Sequence, residues 1–439
     1  MAITPLRNID LDSALADAEQ HYVAANPGSK ARIEKACRVM PGGNTRTVLY
    51  WPPFPLTIAR GEGARVWDVD GHEYVDFLVE YTAGLYGHSN PIITAAISRA
   101  LADGIVLGGH NELEGRLAEA LCARIPSLDL VRFCNSGTEA NLMALSTARA
   151  HTGRSKIMAM AGGYHGSVFY FSGAGSPLNV PFPMVMAEYN DIEGTLALIE
   201  SNADDLAAIV VEPMMGGGGT IPADREYLAA LREASTRHGI VLVFDEVMTS
   251  RLAPGGLQEA HGITPDMTTL GKYLGGGLTF GAFGGRADIM GRFDPTTPDA
   301  FPHAGTFNNN ILTMAAGLAG ITEVYTPEAC AALNARGEAL RERLNGVMQA
   351  RGLPVQVTGR GSMMTVHFRG GTIRSPADAG AGNDTARGLF HLEMLARGQY
   401  LARRGMITLS LPMTDADCDG LVAAVDDFLG EYAPLIADI

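Results

Sequence analysis

Residues 241–286 read VLVFDEVMTSRLAPGGLQEAHGITPDMTTLGKYLGGGLTFGAFGGR, and this stretch decides the fold. Residues 240–244 are apolar and rich in β-branched side chains, the pattern of a strand buried on both faces. The run ends in Asp245-Glu246. A second short strand, 267–270, leads into Gly271-Lys272, then the cluster Gly275-Gly276-Gly277 and a third apolar segment, 280–284. Open parallel sheets place their chemistry beyond the carboxyl ends of the strands. An acid and a base at two such ends can therefore face one cavity, and Asp245 and Lys272 are the candidates. A lysine confined in a pocket has a lowered pKa, so it can act as an amine nucleophile and form a Schiff base. Either residue alone is more often an ordinary strand-end or solvated charge, and the rest of the chain decides between the two readings.

Outward from this stretch, apolar segments at 130–133, 156–160, 184–188, 207–211, 240–244, 267–270 and 280–283 alternate with helical patterns at 92–101, 112–125, 138–152, 193–202 and 225–238. That alternation predicts an α/β fold, a mainly parallel seven-stranded sheet with helices on both faces. Upstream, 11–40 reads as helix interrupted at Asn26-Pro27-Gly28. A turn-rich loop carrying Arg46, a small antiparallel meander over 51–77 and an irregular aromatic loop containing Tyr81 follow. Downstream, a helix over 310–324 precedes a longer one that Thr326-Pro327 opens and Gly352 stops. A strand over 355–368, a mobile glycine-rich loop over 370–383, a strand at 407–411 and a helix begun by Thr414 and Asp417 complete the reading. The expected domains are an N-terminal segment, 1–86, that joins the small domain, a large α/β domain, 87–325, and a C-terminal small α+β domain, 326–439.

The 439 residues are 46% hydrophobic and 18% charged, enough apolar material for a large core. A net charge of −15 argues against nucleic acid or an anionic membrane as partner. Residues 1–20 lack the basic head and apolar run of a secretory signal, and no apolar stretch is long enough to span a membrane. The five cysteines are scattered without metal-ligand spacing, so reduced thiols, a cytoplasmic location and no metal site are expected.

Other strand ends carry matching chemistry. Asn135-Ser136-Gly137-Thr138 sits between a strand and a helix, where small hydroxyls and free N–H groups suit a dianionic phosphate. No P-loop pattern is present, so a nucleoside triphosphate is not implied. Gly162-Gly163-Tyr164-His165-Gly166 brings an aromatic ring to the same edge, in reach of a flat heterocycle. Glu212-Pro213 ends a further strand. A lysine amine together with a carboxylate that keeps a pyridine nitrogen protonated is what pyridoxal phosphate chemistry requires.

The motifs NSGTEAN, GGYHG, VEP, FDEVMTSR, GKYLGGG and AGTFNNN, in that order, resemble those of the class III aminotransferases, pyridoxal-phosphate enzymes of fold type I. The resemblance runs from about Cys37 to the C-terminal helix. It implies pyridoxal 5′-phosphate as cofactor, joined to Lys272 as a Schiff base, with Asp245 on the pyridine nitrogen. It implies that Ser136, Gly137 and Thr138 bind the phosphate and that Tyr164 and Val247 pack on opposite ring faces, with Glu212 and Met248 beside them. Thr306 is implied to reach the phosphate of a neighbouring subunit, which makes a homodimer the active unit.

Two subfamilies compete within the class. PGG near the N-terminus and DEVMT resemble glutamate-1-semialdehyde aminomutase, which moves an amino group within one substrate. Ser250-Arg251-Leu252, Thr45-Arg46-Thr47-Val48 and GTFNNN depart from that pattern. The fuller set PGGNTRTVLY, FPLTIARGEG, EYTAGLYGHS, DEVMTSRLAPGG, FGAFGGR and TFNNN is similar to the β-amino-acid aminotransferases that act on β-phenylalanine. That resemblance implies transfer of an amino group from a β-amino acid to 2-oxoglutarate or pyruvate. Arg46 would bind a substrate carboxylate near Tyr81. Arg404 would hold the distal carboxylate of 2-oxoglutarate, with Arg403 beside it leaving the register open by one. After VEP the chain reads Met214-Met215-Gly216-Gly217-Gly218-Gly219, so no carboxylate there competes for an arginine.

Overall fold

The computed structural model describes residues 10–173, 175–437 and 439. Its main sheet contains the seven expected strands: β1 (Leu130–Cys134), β2 (Lys156–Met160), β3 (Met184–Ala187), β4 (Leu206–Val211), β5 (Val241–Asp245), β6 (Met267–Gly271) and β7 (Gly281–Gly285). Their order is β1-β7-β6-β5-β4-β2-β3. β6, β5, β4, β2 and β3 run parallel, while β7 is antiparallel to both β6 and β1. The physical reason is the short link over 272–280, since a parallel return needs a crossover of a dozen or more residues.

Side-chain alternation explains why helices cover both faces. Leu242 and Phe244 pack with Met158, Met160, Ile209 and the helix residues Leu228 and Leu231. Val241 and Val243 point the other way, onto Ala140, Ala144 and Ala148 of helix Gly137–Thr152. The apolar runs therefore read as continuous because each strand is buried on two sides. Gly281 and Gly285 let β7 fit: a Cβ at either would strike a backbone carbonyl, of Ser136 and Asp266 respectively.

Besides the two-stranded pair Met214–Met215 and Ile221–Pro222, two further sheets accompany this core. The meander Ile58–Glu62, Arg65–Asp68 and Glu73–Asp76 gains Gln399–Tyr400 as a parallel fourth strand. Gln356–Arg360, Met363–His367 and Met406–Thr408 form an antiparallel sheet. The single strand expected over 355–368 is thus a hairpin, turned at Gly361 with φ +54°. The stretch 370–383 is not all loop: Ser375 and Asp378 make a capping box for the short helix Pro376–Gly380. The sequence reading passes over helix Asp384–Ala396, capped by Asn383 and burying Leu389, Phe390 and Met394. None of the described helices is long and apolar enough to cross a membrane.

Candidate active site

Asp245 closes β5, and Lys272 follows the last residue of the neighbouring parallel strand, β6. Both therefore lie at one edge of the sheet. The chain has four lysines, and the other three stand elsewhere. Lys30 and Lys35 are exposed on an N-terminal helix, and Lys156 opens β2, bonded to Asn202 at 2.9 Å. Lys272 holds φ +56°, a left-handed conformation that costs a non-glycine residue about 1–3 kcal/mol. Burial, reinforced by the positive charges of Arg404 and Arg46, pulls its amine down to about 8 against the opposing pull of Glu80 and Asp245.

Asp245 is buried and tightly held. Its Oδ2 accepts from Asn141 Nδ2 at 2.8 Å and lies 2.8 Å from His165 Nδ1, and its Oδ1 accepts from the N–H of Val247 at 3.0 Å. Thr269 of β6 fixes Asn141 by donating to its Oδ1 at 2.8 Å. Burial pushes the His165 imidazole down, but the hydrogen bond and charge of Asp245 outweigh it, so the net shift is upward. His165 Nε2 has no partner among the described residues.

The N-terminus of helix Gly137–Thr152 lies next to this pair. Ser136 is its N-cap, accepting from the N–H of Glu139 at 3.2 Å, and the N–H groups of Gly137 and Thr138 in the first turn have no partner within the helix. A Cβ at Gly137 would sit 3.0 Å from both Val247 methyl groups. Glycine thus lets Val247 lie against the helix start. Thr138 Oγ1 accepts from the N–H of Ser167 at 3.3 Å. Met248 packs on Gly216, where any Cβ would collide with its sulfur. Glu212 is buried and accepts from the N–H groups of Tyr164 at 3.1 Å and Gly216 at 2.9 Å. Burial raises its pKa, against the positive field of His165. Tyr164 is 45% exposed, and its ring meets Tyr170 edge-on with centroids 5.8 Å apart.

Arg403 pairs with Asp384 at 2.6 Å, whereas Arg404 lies with its Cζ 5.0 Å from the centre of the Tyr81 ring. Arg404 Nε has no partner among the described residues. The structure thus brings Arg404 and Tyr81 into the cluster and leaves Arg403 on an ion pair. Arg46 sits 2.5 Å from Glu80, both side chains about half exposed. Thr306 is exposed, as is its neighbour Phe307, and Asn308 of the same stretch accepts from Asn135 Nδ2 at 3.0 Å.

Sequence reasoning missed His165, Asn141, Thr269 and Glu80 as members of the cluster. His165 and Asn141 lie inside motifs it had singled out. Asn141 is four residues after Gly137, so it shares the inward helix face. Nothing in Val-Glu-Tyr-Thr marks Glu80, because its position depends on an unusual backbone turn.

These groups fit a flat, phosphorylated pyridine aldehyde. Asp245 Oδ1 keeps a lone pair for a ring N–H, the helix N-terminus suits a phosphate, and Lys272 supplies an amine of lowered pKa. Comparison with known proteins agrees with that fit. The family model for aminotransferase class-III matches residues 50–394. Beta-phenylalanine transaminase from Variovorax paradoxus is 53% identical over 97% of this chain and 98% of its own. The crystal structure of a beta-phenylalanine aminotransferase from that organism superposes with a TM-score of 0.96, covering 97% and 99%. Glutamate-1-semialdehyde 2,1-aminomutase from Heliobacterium modesticaldum is 36% identical, over 91% and 96%. A transaminase solved with PLP bound is 33% identical with a TM-score of 0.86, covering 94% and 99%. Sheet order, strand-end chemistry and kinship point one way: the chain belongs to the class-III aminotransferases and is a pyridoxal-phosphate-dependent transaminase of fold type I.

Proposed function

We propose that the chain transfers the amino group of a β-amino acid, with an aryl side chain such as that of β-phenylalanine, to 2-oxoglutarate or pyruvate. The observation that carries the chemistry is the buried Asn141–Asp245–His165 network beside Lys272 at adjacent strand ends. The donor class rests on the 53% identical relative named for β-phenylalanine. When bound, pyridoxal phosphate supplies an electron sink for the carbanion formed at the substrate carbon. Asp245, backed by His165 and Asn141, holds a proton on the ring nitrogen. Ser136, Gly137 and Thr138 bind the phosphate. Tyr164 and Val247 would pack against the ring, with Glu212 and Met248 near them. Lys272 holds the cofactor through its amine. Once free, that amine takes the proton from the substrate carbon and returns it, a task its pKa near 8 suits at neutral pH. Arg46 receives the substrate carboxylate and Arg404 the distal carboxylate of 2-oxoglutarate, since guanidinium binds carboxylates in a fork and also stacks on rings.

A panel of donors and acceptors on pure holoenzyme tests this reading. β-Phenylalanine with 2-oxoglutarate is expected to yield glutamate, and the reaction should require the acceptor. Arg404→Ala is expected to weaken 2-oxoglutarate by about 2–5 kcal/mol, the loss of a desolvated charge pair, and to spare pyruvate. Turnover of glutamate-1-semialdehyde without any acceptor, and none of β-phenylalanine, would instead establish the aminomutase reading that the 36% identical relative favours.

The active unit is a homodimer in which Thr306 of one protomer completes the phosphate site of its partner. Its exposure in the single chain motivates this. Mixing inactive Lys272→Ala with inactive Thr306→Pro protein is expected to restore activity through hybrid dimers. An active monomer in sedimentation would contradict it.

A further inference from the structure

Val79, Glu80, Tyr81 and Thr82 hold φ of +49°, +46°, +51° and +82°, and none of them is glycine. L-residues avoid such a left-handed run unless neighbours impose it. Asp76 Oδ1 accepts from the N–H groups of Leu78 at 3.0 Å and Val79 at 2.9 Å. Gly84 donates to the Val79 carbonyl at 3.0 Å. Arg251, fully buried, reaches from the segment after Asp245 and donates to the Thr82 carbonyl at 3.4 Å. The turn is therefore tied to the same strand end that carries the candidate chemistry.

It aims two successive side chains at two arginines. Glu80 pairs with Arg46 at 2.5 Å. Tyr81 lies under Arg404, its ring centre 5.0 Å from Cζ, and its hydroxyl donates to the Val48 carbonyl in the Arg46 loop at 3.0 Å. The two guanidinium groups are treated differently. An aromatic face leaves the charge of Arg404 unneutralised, while a carboxylate neutralises Arg46.

We propose that Glu80 is a specificity-determining residue, a resident carboxylate that occupies Arg46 until a substrate carboxylate replaces it. This rests on the reading of Arg46 as a carboxylate site. Glu80 and Arg46 are 51% and 46% exposed, so their pair is weak enough to exchange. An alternating reaction needs that exchange, because one site must release a keto acid and then bind a second acid. A competing internal carboxylate lowers the affinity for every acid and lets the product leave. Amines without a carboxylate meet an Arg46 already neutralised and gain nothing from it.

The test is calorimetric titration of the pyridoxal-phosphate-loaded enzyme with 3-phenylpropanoate and glutarate, and with 3-phenylpropanamide as the uncharged control. Glu80→Gln is expected to bind both acids about two- to five-fold more tightly, the range of an exposed ion pair, and the amide unchanged. Glu80→Asn, whose new side chain tolerates left-handed backbone, should behave alike. In an Arg46→Ala background both acids should bind more weakly, and adding Glu80→Gln should change nothing further. Unchanged acid affinity in Glu80→Gln, an equal shift for the amide, or the same tightening without Arg46 would overturn the proposal. So would failure of either acid to bind any form. No turnover is needed. Acids that tighten in Glu80→Gln while β-phenylalanine fails in the donor panel would overturn the donor assignment and leave the role of Glu80 standing.

Discussion

Lys272→Ala is expected to lose turnover by at least about 10⁴-fold, the upper end of what one general acid–base group contributes, because the same amine also holds the cofactor. The loss should appear in both half-reactions, measured separately by single-turnover absorbance. A folding defect is a separable cause. Lys272 sits at φ +56°, so Lys272→Gly should relieve backbone strain and melt no lower than wild type while remaining inactive. Activity within ten-fold of wild type in either variant would mean that another group moves the proton.

Asp245→Asn is expected to bind the cofactor but turn over about 10²–10³-fold more slowly, the usual cost of removing one preorganised electrostatic stabiliser. Asn141 Nδ2 donates to Asp245 Oδ2, and His165 Nδ1 approaches the same oxygen. An amide oxygen in the Oδ2 place can keep those two contacts and gives up only the Val247 N–H bond at the other position, so the fold should survive and the cofactor should still bind. A neutral amide cannot hold a proton on the ring nitrogen, so the cost should fall on kcat. A near-normal kcat would show that another acid supports the ring.

Much of this architecture is legible in the residues. The strands of the main sheet read clearly because burial on both faces makes them continuous apolar runs, as in Leu206–Val211 and Val241–Asp245. Asp245 and Lys272 stand out because polar groups interrupt those runs where they end. The antiparallel course of β7 is implicit only in the shortness of the link before it. The hairpin at Gly361 is harder to see, since strand-forming residues lie on both sides of the turn and only Gly359 and Gly361, with no proline or Asn-Gly pair, mark it. Helix Asp384–Ala396 hides behind a glycine-rich approach, although Asn383 caps it. Arg403 and Arg404 are indistinguishable in sequence; only the Asp384 pair and the Tyr81 ring separate them. Glu80 was out of reach altogether, because its placement depends on left-handed backbone in four residues that ordinarily avoid it.

One lysine must hold the cofactor, and the chain offers four: Lys30, Lys35, Lys156 and Lys272. Borohydride reduction of the pyridoxal-phosphate-loaded protein, followed by proteolysis and peptide mass mapping, tests this most directly. The predicted result is a single pyridoxyl adduct, on the peptide containing Lys272. An adduct on Lys156, Lys30 or Lys35, with Lys272 unmodified, would contradict the account.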